Sequence, residues 1–448
     1  MYKNSIYNYS IIFNDGSLRM YNSMIGNRSL ICVMDPKKSK MIKNVLDGKD
    51  SYEILPENII KVLVKYGYLV LKEKDEDKEL EIKIAETICG EKFLSLIILP
   101  TEQCNFRCKY CYEKLKKGKM SEETQNSLID FVRKNISKYI GLSVSWFGGE
   151  PLEALDVVEN LSKKFIEICK IAKKTYVAGI TTNGYNLDSE TFDKLYKLKV
   201  LSYQITLDGY KTEHDRQRIL ENGKGSFEKI IANLKIIKSK NTKGTTIIIR
   251  TNFTKSIIDN IDKYLIFYKE NFGNDMRFSF YIQKASDWGG KQVANFSNEL
   301  IRTKNSGDVH KYVLKKLKEH DIYLSNSSHY SELQCELNTC YAAKLGHLVI
   351  GSDGIIYKCT RNFELPENNV GQLDKNGHII FNNNYSKWIN PLKTKSKKCE
   401  KCFNRASCLP MKCPYQNLIS EENQCPPMGG YNLYAFLERF HISLFTKI

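Results

Sequence analysis

Residues Thr101 to Glu113 read T-E-Q-C-N-F-R-C-K-Y-C-Y-E and follow directly on the apolar run Phe93 to Leu99. The branched and aromatic residues of that run predict a buried strand, which places the cysteines on the loop that leaves it. Cys104, Cys108 and Cys111 have C-x3-C-x2-C spacing. Three thiolates on one short loop can hold three irons of a four-iron cluster and leave the fourth iron open to another molecule. Structural zinc asks for a fourth ligand close by and commonly pairs its cysteines as two C-x2-C knuckles, which this loop lacks. Nor does the stretch read as core packing, because Asn105, Arg107 and Lys109 interleave with the thiols and buried strands avoid such groups.

Around this loop the composition sets bounds. The chain has 448 residues, room for two or three domains, and its 42% hydrophobic content is that of a globular protein. It contains no uncharged apolar run of membrane-spanning length. Met1 to Ser10 is polar and no small-residue cleavage site follows, so the protein is expected to stay in the cytoplasm, with no membrane partner. Fourteen cysteines in a reducing compartment point to metal or cluster ligation before disulfides. Net charge +17 favours an acidic partner, nucleic acid or an acidic peptide. The lysines are spread along the chain without a basic block or arginine-rich motif, so nucleic acid is not expected.

Upstream, Tyr7 to Met34 reads as three short strands, with Asn14-Asp15-Gly16 and Ile25-Gly26-Asn27 as turns. Lys37 to Leu46 and Pro56 to Tyr66 read as helices, the second closed by Gly67, and Tyr68 to Leu71 as a strand. The charged run Lys72 to Lys83 reads as a linker helix.

Downstream, strand and helix alternate. Ser121 is the expected N-cap of a helix burying Leu128, Phe131, Val132 and Ile136. Leu142 to Phe147, Thr175 to Thr182, Ser202 to Leu207, Thr245 to Thr251 and Arg277 to Gln283 read as strands. Between them lie helices over Pro151 to Ala172, Leu187 to Leu198, Phe227 to Lys238 and Ile257 to Glu270. Six strands alternating with helices imply an α/β core with a parallel sheet, open or partly closed, and ligands at the carboxyl ends of its strands. Three glycine turns fall at such ends: Phe147-Gly148-Gly149-Glu150-Pro151, Thr182-Asn183-Gly184 and Thr206-Leu207-Asp208-Gly209. Each is also an ordinary strand-to-helix turn. Without a G-x-G-x-x-G motif, a nicotinamide enzyme has no support.

With Tyr110 as the aromatic residue before its third cysteine, the loop resembles the cluster loop of the radical S-adenosylmethionine (SAM) enzymes. The resemblance implies a partial (β/α)6 barrel in which SAM's methionine end chelates the open iron. One electron then splits SAM, and the 5'-deoxyadenosyl radical takes a hydrogen atom from the substrate. It also implies that Gly148 and Gly149 let the backbone approach the methionine amino group and that Glu150 stabilises its charge. Asn183, Thr206 and Asp208 would line the ribose and carboxylate, Asp208 accepting from ribose hydroxyls, and Asn252 would lie near the adenine. His214-Asp215-x-x-Arg218 also resembles the family, with no role assigned beyond an ion pair. A flavodoxin or ferredoxin would serve as reducing partner. The N-terminal unit is similar in layout to the winged-helix domain with which peptide-modifying relatives take the leader of a precursor peptide as an added strand.

The C-terminal half carries Cys335-x4-Cys340, then Cys359 after the hairpin-like run Leu348 to Ile356, then Cys399-x2-Cys402-x5-Cys408-x4-Cys413, and Cys425. Taken alone, the last five suit a zinc ribbon as well as they suit clusters. Their order resembles the SPASM extension of radical SAM enzymes, with two auxiliary four-iron clusters and hence three in all. Carried over, Cys335, Cys340, Cys359 and Cys413 would hold the first, and Cys399, Cys402, Cys408 and Cys425 the second. Cys32, Cys89 and Cys169 remain, expected to be inert core thiols. The Cys408 to Cys413 spacing is one residue longer than usual. The Cys335 to Cys340 interval is one shorter than in sulfatase-maturing relatives, a change that could open one iron to a substrate thiolate. Those relatives also carry a catalytic aspartate where this chain has Thr360, which counts against their activity.

The chain is thus expected to comprise a recognition-like unit (residues 1–90), a radical SAM core (91–290), a helical connection (291–334) and a SPASM part (335–448). Tyr431 to Ile448 is expected to close it as a docked helix. The activity implied is cysteine thioether formation in a ribosomally made peptide.

Overall fold

The computed structural model describes residues 1–113, 117–285, 296–301, 306–322, 340–389, 399, 402–407, 413–419, 437 and 446–447. The chain forms two compact units, Met1–Gly90 with Tyr330–Lys344 and Trp388–Ile448, and Glu91–His329 with Leu345–Lys387.

The first unit begins with β1 (Tyr2–Asn4), β2 (Asn8–Ile12), β3 (Leu18–Asn22) and β4 (Ile31–Val33), the last three an antiparallel meander. Gly16, at φ +78°, makes the turn that Asn14-Asp15-Gly16 predicts. Helix α1 (Pro36–Leu46) starts where the Asp35 side chain accepts from the Lys38 amide, and α2 (Glu57–Lys65) stops before Gly67 at φ +76°. Their apolar sides, Ile42, Val45, Ile59 and Leu63, close over Leu18, Met20, Ile31 and Val33. Strand β5 (Leu69–Leu71) pairs antiparallel with β1, whose polar residues carry no strand pattern of their own. The linker helix α3 runs Glu76–Cys89, shifted beyond the charged run that suggests it because Asp75 caps it on the Lys78 amide.

Two expectations are corrected here. Cys32 is buried among Phe13, Tyr21 and Leu30, and Cys169 is buried in the second unit, but Cys89 is exposed. The buried side of α3 runs through Leu80, Ile84 and Ile88, and the next residue turns about 100° away from it. At the chain's end, Thr446–Lys447 is a strand pairing parallel with Ile31 and Cys32, where a helix was expected; most of Tyr431 to Ile448 lies outside the described residues.

The second unit alternates β6 (Phe93–Ile98), α4 (Glu122–Asn135), β7 (Gly141–Trp146), α5 (Leu155–Ile171), β8 (Thr175–Thr182), α6 (Ser189–Lys197) and β9 (Val200–Thr206). Then follow α7 (Lys211–Gln217), α8 (Phe227–Ser239), β10 (Thr246–Phe253), α9 (Lys255–Asp259), α10 (Ile261–Phe272) and β11 (Phe278–Lys284). The helix expected over Ile257 to Glu270 is therefore two, broken at Asn260. Pro151–Ala154 forms a 3-10 turn ahead of α5. Strands β6 to β11 are parallel and lie side by side in chain order, each crossover advancing one place in the same direction. A uniform direction of advance puts the helices on one face. The face carrying Leu96, Val144, Ile180, Ile205, Ile249 and Phe280 is buried, and the other carries Ser95, Ser143, Thr181, Gln204 and Arg250, only partly covered.

Strands β6 and β11 are not paired, so the array stays open. Beyond β6 the sheet continues through β12 (His347–Ile350), parallel to β6, and then antiparallel β13 (Ile355–Tyr357), β14 (Asn369–Leu373) and β15 (Ile379–Phe381). The result is a ten-stranded mixed sheet of the α/β class.

Candidate functional site

Because β6 to β10 are parallel, their carboxyl ends share one rim, and the three glycine turns after β7, β8 and β9 lie on it. The cysteine loop leaves β6 and is tied down on both sides. The Glu150 amide donates to Gln103 O at 2.9 Å, Glu221 N to Asn105 O at 2.9 Å, Arg107 N to Ile219 O at 2.8 Å and Lys109 N to Gln217 O at 3.0 Å. Arg107 also donates to Cys104 O at 2.6 Å and pairs with Glu221. The Phe106 amide donates to Cys104 Sγ at 3.3 Å.

Burial pushes all three thiols up, Cys111 to about 12, and nearby negative groups add to the rise: Glu150, Cys108 and Cys111 at Cys104, and Glu113 and Cys108 at Cys111. Arg218 acts the other way at Cys108. Thiols held neutral in this way become ligands by giving up their protons to a bound cationic group, which stabilises the thiolate. Among the described residues no three His, Cys, Asp or Glu side chains gather closely enough for one metal ion. A four-iron cluster offers a separate corner to each thiolate, so Cys104, Cys108 and Cys111 fit it by donor type and loop placement.

Gly148 and Gly149 turn out to serve the loop itself. A Cβ on Gly148, at φ +117°, would lie 2.5 Å from Thr101 O, and one on Gly149 would lie 2.2 Å from Gln103 O and 2.6 Å from Glu102 O. A side chain at either position would push the loop's own carbonyls aside. Glu150 is 1% exposed and accepts from the Asn183 amide at 2.6 Å, Thr182 Oγ1 at 2.7 Å and the Leu152 amide at 3.0 Å. Burial outweighs these donors and raises its carboxyl to about 7. Asn183 in turn donates from Nδ2 to Asn105 in the loop at 2.7 Å.

Asp208 is fully buried, and its carboxylate is engaged by protein donors. Tyr110 OH donates to Oδ2, and the Asn252 amide donates to Oδ1 at 2.7 Å. Asn252 Nδ2 adds a third protein donor to this carboxylate, 3.3 Å from Oδ1. Tyr110 OH also accepts from Arg218 Nη1 at 2.7 Å and Asn252 Nδ2 at 3.2 Å, so one phenol joins three residues distant in sequence from its own loop. Thr206 is buried at the end of β9, in register with Arg250.

The motif His214-Asp215-x-x-Arg218, to which no definite role was assigned, is structural support for this knot. His214 Nδ1 accepts from the Asp208 amide at 3.2 Å, and its Nε2 lies 3.0 Å from Ser226 Oγ. Asp215 accepts from the Ser226 and Phe227 amides at the start of α8 and pairs with Lys211, not Arg218. Also unforeseen, Tyr112 OH donates to Thr360 O at 2.8 Å, and Lys117 joins Asp353 at 2.9 Å and Tyr357 OH at 2.8 Å. Both tie the loop to the β12–β13 hairpin; the only signal in the sequence was a polar residue flanking the cysteines.

Of the expected auxiliary ligands, Cys340, Cys399, Cys402 and Cys413 fall in the first unit and Cys359 in the second. Cys335, Cys408 and Cys425 lie outside the described residues, so the eight-ligand assignment stays what the family resemblance implies. Among the described residues no helix is long and apolar enough to cross a membrane.

Comparison with known proteins bears on the same rim. Residues 98–264 match the Radical SAM superfamily. The chain is 27% identical over 333 residues to a cysteine-type anaerobic sulfatase-maturating enzyme of Clostridium novyi (strain NT), covering 69% of this chain and 85% of that one. Among solved structures it is similar to anSMEcpe with bound AdoMet and a peptide, at TM-score 0.60 and 21% identity, covering 77% of this chain and 96% of that one. It is also similar to Streptococcus suis SuiB bound to precursor peptide SuiA, at TM-score 0.53 and 17% identity, covering 95% and 98%.

Proposed function

We propose that this chain, which carries a radical SAM domain, matures a ribosomally made peptide by joining a cysteine sulfur to a carbon of the same peptide as a thioether. The observation that carries the reading is the loop of three closely spaced cysteines at the carboxyl rim of an open parallel sheet. When bound, the cluster and SAM supply hydrogen-atom abstraction. The chain's own residues orient and shield. Gly148 and Gly149 fix the loop, and Tyr110, Asp208, Arg218 and Asn252 lock it against β9 and β10. The partly covered polar face, with Ser95, Ser143, Thr181 and Gln204, gives a peptide hydrogen-bonding groups beside the rim.

Similarity over nearly the whole chain to SuiB, described as bound to its precursor peptide, supports a peptide substrate. The N-terminal meander with α1 and α2 is the segment we assign to leader recognition. Thioether closure removes two hydrogen atoms from the peptide; the first leaves with the SAM-derived fragment. The second leaves as a proton and an electron, for which the eight C-terminal cysteines would provide two further clusters, and a flavodoxin or ferredoxin would deliver the initiating electron. The test is anaerobic loading with iron and sulfide, then SAM, dithionite and the candidate precursor. A peptide two hydrogens lighter and no longer alkylated at one cysteine is expected; an unchanged peptide despite SAM cleavage contradicts the thioether step.

The likeness to a sulfatase-maturating enzyme and to anSMEcpe favours a second reading, oxidation of a single residue without a leader. Removing Met1 to Leu71 separates the two. Turnover should vanish if a leader is read and persist if it is not.

A further inference from the structure

We infer that Arg218 sets the reduction potential of the group held by Cys104, Cys108 and Cys111, keeping it higher than those thiolates alone would. The inference rests on the cluster reading above and concerns a residue to which that reading gives only a packing role.

The placement is built into the backbone. Residues 105 to 109 run antiparallel to residues 217 to 221, with Glu221 N to Asn105 O, Arg107 N to Ile219 O and Lys109 N to Gln217 O, and a bridge between Phe106 and Leu220. That register sets Arg218 directly opposite Cys108, in the kind of pair whose side chains approach most closely. The Arg218 side chain cannot swing out to water. Only 7% of the residue is exposed, its Nη1 donates to Tyr110 OH at 2.7 Å, and its guanidinium carbon lies 5.5 Å from the centre of the Phe106 ring. Its Nε is buried with no hydrogen-bond partner among the described residues.

Nor is the charge cancelled by direct pairing. Among the described residues Arg218 makes no ion pair, and the Asp208 carboxylate is reached only through the Tyr110 hydroxyl. An always-protonated guanidinium, dry and fixed across from one ligand, interacts with that ligand's charge far more strongly than it would in water. One-electron reduction adds negative charge to the cluster and its thiolates. A neighbouring cation favours that state, because cluster potentials follow net charge, hydrogen bonding to sulfur and solvent exposure. Arg218 itself moves no proton and breaks no bond; the electron comes from an external one-electron donor.

The experiment is a redox titration of the anaerobically loaded, full-length protein without SAM, followed by the electron paramagnetic resonance signal that SAM addition perturbs. Arg218→Met and Arg218→Gln should make reduction at least tenfold less favourable, about 59 mV lower for one electron. Arg218→Lys, which keeps the charge, should recover most of the difference. Equal potentials in a neutral variant that holds its full iron would overturn the inference. Loss of iron from both neutral variants would overturn it too, since the residue would then hold the cluster and not tune it. A wild-type protein that takes up no iron would defeat the cluster reading itself, a different failure.

Discussion

Replacing Glu150 by Gln tests the electrostatics of the rim before any cofactor is added. In the folded protein burial lifts the carboxyl from its ordinary 4.5 to about 7, although the Asn183 amide, Thr182 Oγ1 and the Leu152 amide all donate to it. A raised carboxyl means that between those two values the folded chain holds a proton that the unfolded chain has released. Stability is therefore present in full below about 4.5 and declines as pH rises through about 7. At 1% exposure the decline attributable to this group amounts to about 3 kcal/mol. The Gln side chain removes the titration but turns an amide toward the Asn183 N–H, a donor-against-donor contact costing about 1–3 kcal/mol at every pH. Urea unfolding of the metal-free protein from pH 4 to pH 8.5 should thus find the variant weaker than wild type in acid, with the gap closing by about 3 kcal/mol toward pH 8. A constant difference across that range would refute the reasoning.

Tyr110→Phe deletes the hydroxyl that donates to Asp208 and accepts from Arg218 and Asn252, and should cost about 2–4 kcal/mol in urea unfolding; a loss below about 0.5 kcal/mol would contradict its role as the hub. Gly149→Ala must displace Gln103 and Glu102 carbonyls, so the loaded variant should carry about four irons fewer per chain. Gly118→Ala, in the same stretch with nothing within 4 Å of its Cβ position, should load like wild type.

Much of this was legible locally. Ser121, whose side chain accepts from the Thr124 amide, and Gly16 and Gly67, both at positive φ, punctuate the chain where short-range chemistry says they should. The alternation of strand with helix gave the parallel core, and with it the rim on which Cys104, Glu150, Asn183 and Asp208 meet. What local pattern could not supply was partnership across sequence. Strand β12 joins β6 from about 250 residues away through Leu348 opposite Leu96, and no periodicity in either names the other. Tyr2–Asn4 becomes a strand only because Leu69–Leu71 pairs with it. The protein partners of Asp208, Tyr110 and Asn252, lie 98 and 44 residues away, and nothing local to its motif names them. Cys89 read as a core thiol because its neighbours are apolar, and one helical step decided otherwise.

The most direct test of the central claim is reductive SAM cleavage by the anaerobically loaded protein, compared with the variant in which Cys104, Cys108 and Cys111 are all alanine. The account predicts about twelve irons per chain for three four-iron clusters and 5'-deoxyadenosine formation that the triple replacement abolishes. A colourless protein that binds zinc without iron, or cleavage that survives loss of all three thiols, would contradict it.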